Sequence, residues 1–162
     1  MGTLLLASVL LTGLFGSTAA SPVPVPYHAF CRTLWLFGLP CADVNTKLVH
    51  QIQAFSPATG CGKCHYILDS ATNTSIHAHH TSPDHLFTES IEFILHTTVL
   101  THSCRVSAQS ISLSFGSLLD GGLNYCNLYT LLTASDLNLA PGFMEMTSEW
   151  ACLGYGSAPC RT

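Results

Sequence analysis

Residues 89–115 read ESIEFILHTTVLTHSCRVSAQSISLSF, and this stretch decides the fold class. Residues 91–95 place Ile, Phe and Leu at every second position, and residues 110–115 alternate serine with Ile, Leu and Phe. Successive side chains of a strand point to opposite faces of a sheet. We therefore predict two antiparallel strands, Glu89–Leu100 and Cys104–Phe115, whose apolar residues face a core while the intervening residues, the serines included, face water.

The segments on either side supply the other elements of the fold. Val44, Leu48, Ile52 and Phe55 are spaced four, four and three residues apart, which predicts one amphipathic helix over residues 42–55. Two further strands are predicted at residues 65–69 and 74–81. Residues 31–39 are apolar and predict a short helical turn, residues 124–132 suit a strand or a helix, and the last twenty residues are expected to be irregular and tied by disulfides.

This order of elements predicts an α+β fold, in which one main helix packs on a curved antiparallel sheet of about four strands, stabilised by disulfides. It resembles the cystatin-like architecture in outline. The Gln-x-Val-x-Gly loop with which cystatins bind proteases is missing: residues 51–55, Gln-Ile-Gln-Ala-Phe, do not match it and fall in the predicted helix. The resemblance thus implies a fold outline and no inhibitor activity.

The amino terminus is predicted to direct secretion. An apolar run of about eleven residues, too short for a membrane span, precedes the small residues 16–20, as in a secretory signal peptide. We expect residues 1–20 to be the signal peptide, residues 21–30 a proline-rich extended lead, and residues 31–162 a single secreted extracellular domain. No second long apolar run follows, so no membrane span is expected in the mature chain.

Composition excludes several classes of protein. Apolar residues make up 48% of the 162 residues, which excludes a disordered chain. Charged residues make up only 9%, and the net charge is −4. Because nucleic-acid-binding proteins carry a basic surface, no nucleic-acid partner is expected.

All eight cysteines follow the predicted signal peptide, and secretion favours their oxidation. Proximity in sequence suggests the pairs Cys31–Cys41 and Cys152–Cys160, with Cys104–Cys126 as a third pair flanking the predicted strands. These pairs leave Cys61 and Cys64, which form a Cys-x-x-Cys motif. This motif suits structural bridging, thiol–disulfide exchange or a zinc site. The glycines around it and the predicted strand after it differ from the strand-then-helix setting of redox enzymes, which favours bridging.

Residues 77–85, His-Ala-His-His-Thr-Ser-Pro-Asp-His, are the most distinctive polar segment. On a strand, His77 and His79 point to one face and His80 to the other. Two imidazoles on one face can chelate Zn²⁺ or Cu²⁺, and Asp84 or His85 can add a third ligand. Such a site would weaken below about pH 6, because neutral imidazole is the ligand. Solvation of an exposed strand and a pH-responsive surface are the competing interpretations, and no other cofactor is expected.

No pattern typical of catalysis is present in the sequence. Neither Gly-x-Ser-x-Gly, nor His-Glu-x-x-His, nor a phosphate-binding glycine loop occurs. Glu89 and Glu92 fall on opposite faces of a strand and make a poor acid–base pair. Asn73-Thr74-Ser75 is an N-glycosylation sequon in a predicted turn. The Asn124-Tyr125-Cys126 tripeptide is the rare cysteine variant.

We therefore expect a secreted, disulfide-bonded glycoprotein that is a non-enzymatic binding module. Its partner would be an extracellular protein or a small apolar ligand, held on a sheet face or in the cleft between helix and sheet. The alternatives are a secreted metal-binding protein that uses residues 77–85, and a redox protein that uses Cys61 and Cys64.

Overall fold

A computed structural model describes residues 28–57, 65–82, 85–99, 101–114 and 120–161. Within these ranges the chain forms an α+β fold with six strands and two α-helices. In chain order these are β1 (Phe30–Phe37), α1 (Cys41–Ala54), β2 (Tyr66–Ala71), β3 (Ser75–Thr81), β4 (Thr88–Thr97), β5 (Cys104–Ser112), α2 (Leu123–Ala134) and β6 (Met144–Met146). Short 3₁₀ turns follow α2 at Leu137–Leu139, Tyr155–Ser157 and Pro159–Arg161.

The six described strands form one antiparallel sheet in the order β2-β3-β4-β5-β1-β6. The four predicted strands correspond to the consecutive run β2 to β5. The sheet is nevertheless larger than the expected four strands, because β1 returns to pair with β5 and β6 then pairs with β1. The cystatin-like outline is thus matched only roughly, and α2 adds a second helix to the one expected.

Both helices pack on the same face of the sheet, and their apolar residues form the core. Val44, Leu48 and Ile52 of α1 are fully buried, as the helical spacing predicts. From the sheet, Trp35, Phe37 and Phe93 are buried against them, with exposures of 0–1%. Residues 124–132, for which strand and helix were both open, lie in α2.

The start of α2 depends on a turn that only glycine accommodates. Gly122 has φ +85°, and a Cβ atom there would lie 2.7 Å from the carbonyl oxygen of Gly154. The Asp120 carboxylate accepts hydrogen bonds from the backbone N–H groups of Gly122 and Asn124, at 2.9 and 2.6 Å. These bonds satisfy donors that the first turn of a helix otherwise leaves without partners.

β1 corrects the prediction of a helical turn at residues 31–39. Its inward positions, Cys31, Thr33, Trp35 and Phe37, are all buried. The outward positions include leucines 34 and 36, so residues 34–37 form a continuous apolar run. Such a run hides the two-residue period that distinguishes a strand.

β5 corrects the predicted direction of its serines. Ser110 and Ser112 are buried, with exposures of 0% and 4%, whereas Ile111 is half-buried on the other face and Leu113 is exposed. The inward direction is set by residues 104, 106 and 108, and the same parity turns both serines inward. Their hydroxyls bond to the side chain of Asn124 in α2, which removes the cost of burying them.

The described disulfides correct all three pairings predicted from proximity. They join residues far apart in sequence: Cys31 to Cys152, Cys41 to Cys104, and Cys126 to Cys160. Cys31 lies near the start of β1 and Cys41 follows its other end, so the two are roughly 20 Å apart at a rise of about 3.3 Å per residue. They therefore bond to chain segments that the sheet and helix packing bring beside them. The last twenty residues are tied by Cys152 and Cys160, as expected.

Candidate functional site: the outer face of the sheet

We call the sheet face turned away from α1 and α2 the outer face. Strand register places its side chains in rows that cross the strands. One row joins Arg32, Gln109, Glu92 and His77, and a parallel row joins Phe30, Ile111, Ser90, His79 and Ile67. Nearer the β6 edge, Leu34 and Leu36 lie beside Met146 and Met144.

The first of these rows is a polar ladder across four strands. Arg32 donates from Nε and Nη2 to Oε1 of Gln109, at 3.0 and 2.5 Å. On the next two strands, Nδ1 of His77 lies 3.6 Å from Oε1 of Glu92. The ladder therefore offers a guanidinium at one end and an imidazole–carboxylate pair at the other.

His79 lies on the same face with a partner of its own. Its Nδ1 is 2.9 Å from Oδ1 of Asp69, in the bulged part of β2. The His79 side chain keeps 33% of its surface exposed and that of Asp69 keeps 47%. On the outer face, the imidazoles of His77 and His79 thus each lie beside a carboxylate and remain accessible.

His80 points to the helix side instead, as strand alternation predicts. Its Nδ1 lies 2.8 Å from Oε2 of Glu89, and the two side chains are only 14% and 6% exposed. Its ring lies 4.7 Å from that of Tyr66, whose hydroxyl donates to the backbone carbonyl of Asn127 at 3.0 Å. Burial raises the pKa of Tyr66 above its ordinary value. The structure therefore separates His80 from His77 and His79 by the thickness of the sheet.

The remaining candidate ligands of the histidine segment are not gathered with these residues. His85 lies after β3 with φ +58°, and its ring is 5.6 Å from the ring of His65. Asp84 falls outside the described residues. Within the described ranges no group of three or more His, Cys, Asp or Glu side chains is placed to hold a metal ion.

Glu89 and Glu92 lie on opposite faces of β4, as expected. Glu89 is buried at 5% exposure, and Glu92 lies on the outer face. The buried pair of Glu89 and His80 was not anticipated from the sequence. Their separation of nine residues gives no local signal, and only the β3–β4 register sets them opposite each other.

Apolar side chains of the outer face cluster toward the β6 edge. Met144 and Met146 are 55% and 43% exposed, and Phe30 is 38% exposed. These residues were not predicted as a site, because the tail was expected to be irregular and residues 31–39 to form a helical turn. Pairing with β1 turns a three-residue segment of the tail into a strand and places both methionines on the sheet.

In the described part of the chain, the apolar side chains that the helices and the sheet turn toward each other are packed to near-zero exposure. This packing closes the interface between helix and sheet, and the exposed leucines 123 and 139 lie outside it. Two grooves along the exposed side of α1 are open to solvent and combine polar side chains with apolar surface. Of the two binding places expected from the sequence, the sheet face is therefore the accessible one.

Of two other predicted sites, the structure describes the Asn73 sequon but not the Cys-x-x-Cys motif. Asn73 is exposed in the turn between β2 and β3, where a sequon is accessible. Cys61 and Cys64 lie outside the described residues, so the redox alternative stays a prediction. The predicted signal peptide, residues 1–20, and most of the predicted extended lead, residues 21–30, also lie outside them.

No protein-family model, no curated protein and no solved structure matches this chain. Among the described residues, no helix combines the length and the apolar character needed to cross a bilayer.

Proposed function

We propose that this protein is a secreted, non-enzymatic binding module that holds an extracellular protein partner on the outer face of its sheet. The observation that carries this proposal is the contrast between the two faces. Both described helices close one face over a packed core, whereas the other keeps apolar, cationic and anionic side chains exposed. Exposed apolar side chains beside polar groups are typical of protein interaction surfaces.

The size of the outer face favours a protein over a small apolar ligand. Six strands about 4.8 Å apart, which range from three residues in β6 to ten in β4 and average about 24 Å in length, give a face of roughly 600 Å². One side of a standard protein interface buries about 800 Å². Small ligands are instead held in concave pockets that enclose most of their surface, and an open sheet face does not provide such a pocket.

Secretion and glycosylation belong to the same proposal. The three described disulfides are compatible with an oxidising compartment, and residues 1–20 have the pattern of a signal peptide. Asn73 provides an accessible sequon. One disulfide joins β1 to the carboxy-terminal tail, and the other two join α1 to β5 and α2 to the same tail, which suits a module that must stay folded outside the cell.

The proposal is tested by a binding comparison between matched lysine variants. Met146→Lys places a charge in the apolar part of the outer face, and Leu139→Lys makes the same change at a 76% exposed leucine after α2. Immobilised wild-type protein and both variants are exposed to extracellular fluid from the source organism, and retained proteins are quantified by mass spectrometry. Equal thermal unfolding midpoints establish that both variants are folded.

We expect a partner that wild type and Leu139→Lys retain equally and that Met146→Lys loses at least about tenfold, corresponding to about 1.4 kcal/mol. Three results would contradict the proposal: no specific partner, a partner that Met146→Lys retains in full, or equal loss from both variants.

Metal binding is a second candidate function, favoured by the carboxylates beside Nδ1 of His77 and His79. Metal-bound imidazoles are commonly oriented by a carboxylate on the nitrogen that does not bind the ion. Nε2 of each ring would then be the ligand for Zn²⁺ or Cu²⁺. His80 would not take part, because it faces the helix side.

Calorimetric titration with Zn²⁺ and with Cu²⁺ tests this second candidate. Replacing His77 and His79 together by alanine should abolish binding, and Asp69→Asn should weaken it by about 10–100-fold. His96→Ala, at an exposed histidine of β4, is the matched control and should bind as wild type does. Binding that survives the double replacement would exclude this site.

A further inference from the structure

The turn between β2 and β3 presents the Asn73-Thr74-Ser75 sequon in an ordered form. Thr72 Oγ1 accepts hydrogen bonds from the backbone N–H groups of Thr74 and Ser75, at 3.3 and 3.0 Å. Asn45 of α1 donates from Nδ2 to the carbonyl of Thr72 at 2.8 Å, which ties the turn to the helix. In the described part of the chain none of the hydrogen bonds uses the Asn73 side chain, which is left exposed.

We infer that Asn73 carries an N-linked oligosaccharide whose first sugar residues lie along the exposed side of α1. This inference rests on the proposed secretion, because the modification occurs in the secretory pathway. It deepens the proposed glycosylation by giving the sugar chain a location, on a side of the molecule separate from the outer face.

A groove of about 370 Å³ begins at Asn73 itself and supports this placement. Its walls include Thr72 from the turn and Asn45, Val49 and His50 from α1. A second groove of about 320 Å³ shares Thr46 and His50 with the first and continues to Lys47 and Asp136.

The chemistry of these grooves suits a sugar chain. Val49 is half-buried and offers an apolar patch for the C–H face of a pyranose ring. His50 and Gln53 are exposed beside it and offer hydrogen-bonding groups for hydroxyl and acetamido substituents. An apolar surface bordered by neutral polar groups, with few charges, complements an N-acetylglucosamine residue.

The structure also assigns a single glycan, because the second candidate asparagine is inaccessible. Asn124 is 1% exposed, and its side chain bonds to the hydroxyls of Ser110 and Ser112. Cys126, the third residue of its rare sequon, is bonded to Cys160. A glycan on Asn124 is therefore incompatible with the folded chain.

The test begins with the full-length chain expressed in eukaryotic cells. Intact mass is measured on protein from the medium, before and after the amidase that removes N-glycans. Wild type and Ser75→Thr, which keeps the sequon, should each carry one glycan. Asn73→Gln and Ser75→Ala should carry none.

The outcomes separate this inference from the proposal on which it rests. Wild-type protein in the medium without a glycan, or with two, overturns the inference and leaves the proposed secretion standing. Wild type that is retained inside the cells contradicts the secretion proposal, and the inference fails with it.

The placement on α1 is tested by chemical modification of histidine. Diethyl pyrocarbonate acylates accessible imidazoles, and peptide mapping gives the rate for each residue. The glycan should slow the modification of His50 several-fold relative to the Asn73→Gln protein. The rate at His96, on the outer face, should not change. Equal rates at His50 with and without the glycan would overturn the placement.

Discussion

Replacing Asn124 by alanine should destabilise the protein far more than the same change at Asn45. The Asn124 side chain accepts a hydrogen bond from Ser110 at 2.6 Å, donates to Ser112 at 2.9 Å and donates to the carbonyl of Ala29 at 3.3 Å. All of these bonds are buried. They tie α2 to β5 and to the residue before β1, and so maintain the strand faces that define the outer face.

The magnitude follows from the number of bonds. Three hydrogen bonds at about 1 kcal/mol each give a loss of about 3 kcal/mol. The buried serine hydroxyls and the Ala29 carbonyl would then have no hydrogen-bond partner, which can raise the loss to about 5 kcal/mol. Asn45→Ala removes a single hydrogen bond, the one to the Thr72 carbonyl, which is exposed to solvent. This change should cost about 0.5–1 kcal/mol.

The assay is equilibrium unfolding in urea, with disulfides intact, of wild type and both variants. Equal slopes with denaturant would show that the two variants unfold from comparable states, so that the midpoints report stability. A loss below about 1 kcal/mol for Asn124→Ala, or one no greater than that for Asn45→Ala, would refute the assignment of inward-facing serines on β5.

Three further outcomes are expected from the same fold. His80→Ala should lower the free energy of unfolding in urea by about 1–3 kcal/mol, because it leaves the buried Glu89 carboxylate without its partner. His77→Ala, on the outer face, should stay within about 0.5 kcal/mol of wild type. Equal losses for the two variants would contradict the assigned faces. Burial raises the pKa of Tyr66, so its contribution to stability is present below the unfolded pKa of about 10 and is lost as pH rises above that value. From pH 8 upward, the free energy of unfolding of Tyr66→Phe should therefore decline less steeply than that of wild type. Parallel curves for the two proteins would contradict this prediction. Replacing both cysteines of the Cys31–Cys152 bridge should cost about 1 kcal/mol more than replacing those of the Cys126–Cys160 bridge, because the closed chain spans 121 residues rather than 34; a reversed order of unfolding midpoints would argue against loop entropy as the cause.

Elements with a clear local period were predictable from the sequence. The predicted helix at residues 42–55 differs from α1, Cys41–Ala54, by one residue at each end, because Val44, Leu48 and Ile52 repeat with the helical period. The faces of β4 were predicted correctly, because residues 91, 93 and 95 are apolar and buried while Glu92, between them, lies on the other face. Such a pattern arises when one face of a single element is buried, and it can be read from that element's own sequence.

Elements whose environment comes from distant segments were not predictable. Residues 34–37 of β1 are apolar on both faces, because Trp35 and Phe37 face the core while the two leucines lie beside the methionines of β6. No alternation therefore marks this segment as a strand. On β5, the burial of Ser110 is tolerated because its hydroxyl donates to Asn124, which lies in a helix that follows the strand. The disulfide pairs likewise depend on which segments the sheet brings together.

The candidate site divides in the same way. That His77 and His79 share one face of a strand and His80 takes the other was predictable from the sequence, because strand geometry requires it. The Asn73 sequon was likewise readable in the sequence. The carboxylates beside these imidazoles, those of Asp69, Glu92 and Glu89, came from the tertiary structure, as did the packed interface between helix and sheet and the accessible outer face. Periodicity is a local property of the chain, whereas a binding surface is formed by residues that strand pairing brings together.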